Sequence, residues 1–156
     1  GIEPDVITLA KGLGGGVPIG VVMTSKKDIF APGDHGSTFG GNYLSTAAAN
    51  EVLDILEEIK ENGELDEHLL YFETALAAFA ASHPAVFLEH VGLGMMRGLR
   101  VVDGETLGKI INAAREAGVI VLKAGRNTLR FLPPLTITKG EIDEGFIRLE
   151  KAMNAL

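Results

Sequence analysis

Two short apolar runs near the start of the chain, "DVITLA" (residues 5–10) and "PIGVVMT" (residues 18–24), flank a segment with four glycines in the five positions after Lys11. Each run is β-branched, too short for a helix and apolar on both faces, which is the pattern of strands buried in a parallel α/β sheet. The glycines then form the turn between them. With 156 residues, 46% of them hydrophobic, the chain can bury a sizeable core and form one or two small domains.

Beyond these strands, Ser25 and "KKDIF" predict a capped helical turn, ended by Pro32-Gly33 before the polar loop "DHGSTFGGN". From Leu44 to about Asn62 the alanines and the spacing Val52, Ile55, Leu56, Ile59 predict an amphipathic helix, stopped by Asn62-Gly63. A second helix carries Leu69, Phe72, Leu76 and Phe79 on one stripe. "AVFLEHVGLGMMRGLRVV" predicts two strands around Gly92 and Gly94. Then come a helix marked by Leu107, Ile110, Ile111 and Ala114, strands at "VIVLK" and "TLRFL", and a last helix with Ile142, Phe146, Leu149 and Met153. Strands pairing through turns such as residues 124–127, with helices on one face, describe an α+β layer distinct from the opening strands. The expected division is residues 1–76 and residues 77–156.

Twenty-one acidic against 14 basic residues leave a formal net charge of -7, with no basic stripe of the kind a nucleic-acid surface needs. No apolar stretch is long and glycine-poor enough to span a bilayer, so no membrane partner is expected. The absence of cysteine excludes disulfides and thiolate metal sites and fits a cytoplasmic location. His35, His68, His83 and His90 lack metal-ligand spacing, so no metal is expected. The carboxylates of "DILEEIKENGELDE" read as a solvated helix face.

Three segments remain as candidates for chemistry. In "KGLGGGVPIG" the lysine precedes the glycines, so the segment is not a Walker loop, and Val17, Ile19 and Pro18 spoil a dinucleotide fingerprint. Lys11 is either a solvated turn residue, the stronger reading on spacing alone, or an amine that a flat group approaches closely because side chains have been removed around it. "GDHGSTFGGN" combines backbone amides freed by glycine with the hydroxyls of Ser37 and Thr38, enough to hold a phosphate; alone it reads better as a plain turn. Arg130 interrupts the apolar strand "TLRFL": it either points outward from an edge or, inward, offers a fork for a carboxylate.

Taken together and in this order, "ITLAKGLGGGVPIG", "HGSTFGGN" with its alanine-rich helix, and "LRFLPPLTIT" resemble the class III aminotransferases, which use pyridoxal 5'-phosphate on the fold-type I scaffold. The resemblance runs over essentially the whole chain. It implies the closing part of a large α/β cofactor domain with its connecting helix in residues 1–76, and a small α+β C-terminal domain in residues 77–156.

It also implies that Lys11 is the catalytic Schiff-base lysine and carries a proton between substrate and cofactor. Thr38, with Ser37 beside it, reaches the phosphate of a partner's cofactor across a homodimer interface, and Arg130 holds a carboxylate of glutamate or 2-oxoglutarate. The implied reaction moves an amino group from N-acetylornithine to 2-oxoglutarate in arginine biosynthesis; ornithine, succinylornithine and 4-aminobutyrate are alternative donors. The aspartate for the pyridine nitrogen, the phosphate cup and the stacking ring of such enzymes belong before the lysine, and only ten residues precede Lys11. Asp5 lies too near to serve as that aspartate, so the chain reads as the C-terminal part of the enzyme, expected to be inactive alone. The competing reading is a non-enzymatic α/β interaction domain in which Lys11 and the glycine loops are ordinary turns.

Overall fold

The computed structural model describes residues 1–156 and is a mixed α/β protein. The chain divides into two compact units, Gly1–Asn62 and Gly63–Leu156.

The first unit contains β1 (Val6–Leu9), a 3-10 turn (Lys11–Gly14), β2 (Val21–Thr24) and α1 (Tyr43–Glu61). β1 and β2 pair with each other antiparallel, Val6 opposite Thr24 and Leu9 opposite Val21, rather than lying parallel as their composition suggests. The physical reason is the connection: the short loop from Ala10 to Gly20 can reverse the chain, whereas a parallel pair needs a longer crossover. Most side chains of both strands are solvent-exposed, including Val6, Ile7, Val22 and Met23. The expected helical turn after Ser25 is absent. Thr24 instead accepts the Lys26 amide on its hydroxyl, and Asp28 takes a left-handed backbone (φ 60), so the polar groups of this stretch are satisfied locally without a helix.

Helix α1 starts where Asn42, in extended backbone, accepts the Ser45 amide on its side chain. Ser45 and Ala49 are its buried residues.

In the second unit, α2 (Glu64–Ser82), α3 (Gly104–Glu116) and α4 (Lys139–Met153) lie against one face of a four-stranded antiparallel sheet. The strands are β3 (Phe87–Leu93), β4 (Met96–Val101), β5 (Leu122–Ala124) and β6 (Thr128–Phe131), in the order β3-β4-β6-β5. Alternation along the strands assigns the two faces. Leu99, Val101, Leu129 and Phe131 enter the core with Leu76 and Phe79 of α2, Leu107 and Ile110 of α3, and Ile142 and Leu149 of α4. Gly98, Arg100, Thr128 and Arg130 occupy the opposite face.

The expected boundary after residue 76 falls inside α2. The units part at Asn62 because the apolar stripe of α2, Phe72, Leu76 and Phe79, is spent on the core of the second unit. The strand expected over "VIVLK" is confined to Leu122–Ala124, since only these residues find partners on β6.

Candidate functional site

Lys11 lies one residue beyond β1, after Ala10, and opens the 3-10 turn with φ 55, a left-handed backbone that costs a residue with a side chain roughly 1–2 kcal/mol. Its loop is bonded to itself: Leu13 donates to the Ala10 carbonyl at 3.2 Å, Gly15 to Gly12 at 3.0 Å and Val17 to Gly14 at 3.0 Å. The glycines divide by role. A Cβ on Gly15 would lie 3.2 Å from Val52 of α1 and one on Gly14 3.0 Å from Ile19, so these two let the loop settle against its own unit. Positions 12 and 16 face open space, with no atom within 4 Å of an added Cβ. The result is an exposed amine with unobstructed approach on one side.

Ser37 and Thr38 are exposed on the loop that ends in Asn42. Gly40 is required there, since a Cβ would sit 2.9 Å from the Ser37 side chain. This loop and the Lys11 loop are joined through Asn42 and Ser45. The Asn42 amide nitrogen donates to the Phe39 carbonyl (2.8 Å) and to Ser45 Oγ (3.0 Å), and Ser45 Oγ donates to the Pro18 carbonyl (2.9 Å). Neither Asn42 nor Ser45 figures among the residues singled out from sequence. The available signal was the N-cap position before a periodic helix.

Arg130 belongs to the second unit. It lies at the middle of β6, between Gly98 of β4 and Leu122 of β5, on the face away from the helices. A cavity of about 380 Å³ on that face is lined by Arg100 and Arg130 with Val91, Gly98 and Thr128. The Arg100 guanidinium is committed, as is that of Arg97, which alternation with Leu99 turns to the helix side of β4. Arg97 pairs with Glu73 at 3.0 Å and donates to the Gly94 carbonyl; Arg100 bonds Glu89 at 3.1 Å and Thr128 Oγ1 at 2.8 Å. Arg130 Nε is buried and has no hydrogen-bond partner. A buried donor left without an acceptor costs about 1–3 kcal/mol.

No group of three or more His, Asp or Glu residues is arranged to hold a metal ion. No helix is long and apolar enough to cross a membrane.

A family model described as aminotransferase class-III matches residues 1–153. The chain belongs to the class-III aminotransferases. Among curated members of this family, the chain is 54% identical over 156 residues to the acetylornithine aminotransferase of Wolinella succinogenes, covering all of this chain and 40% of that protein. It is 43% identical to the succinylornithine transaminase of Photorhabdus laumondii, over 98% of this chain and 39% of that protein. Solved structures agree in fold. The N-acetylornithine aminotransferase of Stenotrophomonas maltophilia superposes with a TM-score of 0.81 at 33% identity, covering 99% of this chain and 40% of that one. An ornithine aminotransferase of Toxoplasma gondii, whose description names PLP at its active site, gives 0.83 at 31% identity over 99% of this chain and 37% of its own. The chain therefore spans about two-fifths of the length of the class-III aminotransferases it matches.

Proposed function

We propose that this chain carries the lysine-bearing portion of a pyridoxal-phosphate aminotransferase that moves an amino group from N-acetylornithine to 2-oxoglutarate. The observation that carries this reading is Lys11 itself: a non-glycine residue kept in left-handed backbone, with its amine exposed where the neighbouring glycines leave open space. Strain of that kind clusters at functional sites, and the turn residues Asp28, Arg126 and Asn127 carry it as well.

The residues present fit the cofactor. A primary amine bonds an aldehyde, glycine-opened space admits a flat ring, and the Ser37 and Thr38 hydroxyls are suited to phosphate oxygens. When bound, pyridoxal phosphate supplies the electron sink that stabilises negative charge at the substrate carbon. Lys11 Nζ would hold the cofactor and, once displaced by the substrate amine, would carry a proton from the amine-bearing substrate carbon to the cofactor. Arg130 orients the substrate through a carboxylate, its planar fork donating to both oxygens and giving the Nε–H an acceptor. Thr38 serves the phosphate of a partner subunit's cofactor in a homodimer. This assignment is supported by the exposure of Phe39, Tyr43 and Leu44 beside it, at 80%, 94% and 71% of their surfaces.

The donor is proposed from the names of the relatives, with succinylornithine the neighbouring alternative. The test is borohydride reduction of the protein bearing this chain after incubation with pyridoxal phosphate, followed by peptide mapping. Label is expected on Lys11 and absent from Lys11→Ala, while Arg130→Lys retains the label and weakens 2-oxoglutarate by about tenfold or more, because an ammonium loses the bidentate geometry. Label elsewhere, or none, returns Lys11 to an ordinary turn.

A further inference from the structure

The hydroxyl of Ser45 has one proton, and the Pro18 carbonyl 2.9 Å away can only accept, so that proton is committed to Pro18. The Ser45 oxygen must then accept from Asn42, which requires the amide nitrogen of Asn42 to face it at 3.0 Å. The other hydrogen of the same nitrogen goes to the Phe39 carbonyl at 2.8 Å, and the Asn42 oxygen is left to accept the Ser45 backbone amide at 3.0 Å. Every donor and acceptor direction follows from the one carbonyl at Pro18. Ser45 is 5% exposed, so the centre of the network is shielded from water, while its Asn42–Phe39 end lies at the surface.

Its two ends are backbone carbonyls in different loops. Phe39 is the residue after Thr38, and Pro18 closes the glycine segment that begins after Lys11. We infer that Asn42 and Ser45 are positioning residues whose hydrogen-bond relay fixes the Ser37–Thr38 loop relative to the Lys11 loop, so that a phosphate held at one loop and an aldehyde held at the other are placed by a common strut. The inference rests on the proposed reading of Lys11 and Thr38. With Thr38 serving a partner's cofactor, the strut ties the lysine of one site to the phosphate contact of the other.

A helix cap alone does not explain this arrangement, and one substitution separates the two roles. Asn42→Asp keeps an N-cap acceptor as good as asparagine and adds charge that favours a helix N-terminus. It has no donor, however, and sets carboxylate oxygen against both the Phe39 carbonyl and the Ser45 oxygen. Ser45→Ala removes the centre of the relay and leaves the Asn42 cap in place. Thr46→Val is the control in the same helical turn, since its hydroxyl bonds only to the carbonyls of Asn42 and Tyr43.

In the protein bearing this chain, amide hydrogen exchange is measured at Gly15, Val17 and Asn42, and pyridoxal phosphate affinity by its visible absorption. Asn42→Asp and Ser45→Ala are expected to speed exchange at all three amides and to raise the cofactor Kd, each by about tenfold, the weight of one buried hydrogen bond. Thr46→Val is expected to leave Gly15 and Val17 unchanged. An Asn42→Asp protein with wild-type exchange at Gly15 and Val17 overturns the relay, as does loosening of both loops with no change in cofactor Kd. A wild-type protein that takes up no pyridoxal phosphate sinks the reading of Lys11 instead, and exchange alone then decides the relay.

Discussion

Lys11 shows how a single backbone angle separates a stability role from a chemical one. At φ 55 any side chain is strained, and lysine and alanine are strained alike because both carry Cβ. Glycine has no such cost but gives up more freedom on folding. Lys11→Gly is therefore expected to be more stable than Lys11→Ala by about 1 kcal/mol in urea unfolding, although both lose the amine. Equal stability of the two variants shows that the lysine is not left-handed in solution. A comparable argument applies to Arg130, whose Nε is buried without a partner while Arg97 and Arg100 beside it are bonded. In the proposed reading this donor is answered by a substrate carboxylate.

Among the elements, α4 carries the clearest pH signature. Thr138 and Glu141 form a capping box, and the bonds from the Thr138 amide and hydroxyl hold the Glu141 carboxyl below the ordinary carboxylate range. At the start of α3 the Thr106 amide and hydroxyl do the same for Asp103. A carboxyl depressed in the folded state stabilises the fold at pH above its unfolded value, and that contribution disappears as pH falls through the folded value. The second unit is thus expected to lose stability below about pH 4–5. Glu141→Gln keeps an acceptor but cannot titrate, so its acid limb should be flatter than that of the wild type in urea unfolding followed across pH 2–7. An identical acid limb shows that the capping carboxylate is not coupled to folding.

Across the whole molecule the two units differ in how much each buries. The second has a continuous core from α2 through α4, with Leu99, Leu107, Ile110 and Leu129 fully buried. The first buries little besides Gly14, Ser45 and Ala49, and its β1–β2 ribbon exposes Val6, Ile7, Val22 and Met23. A two-stranded ribbon without a covered face is marginal in water. Amides of β4, β6 and α3 are expected to exchange at least a hundredfold more slowly than those of β1 and β2 in the isolated chain, because local opening follows buried apolar contact. Equal protection in both units contradicts that division.

Much of this was legible in the residues. The stripes Leu69, Phe72, Leu76, Phe79 and Ile142, Phe146, Leu149, Met153 announce helices because burial at helical spacing is a local property of the chain. The three segments around Lys11, Thr38 and Arg130, in that order, carry the family. Tertiary structure alone decided the rest. An apolar run states that a strand wants cover, not the direction of its neighbour, so the antiparallel pairing of β1 with β2 had to come from the reach of their connection. The stripe of α2 does not say which core receives it; in the structure it packs into the unit Gly63–Leu156. Nothing in a sequence distinguishes an asparagine that only caps a helix from one whose amide reaches two loops, since that depends on a proline carbonyl 24 residues away, at Pro18, meeting Ser45 from the other side.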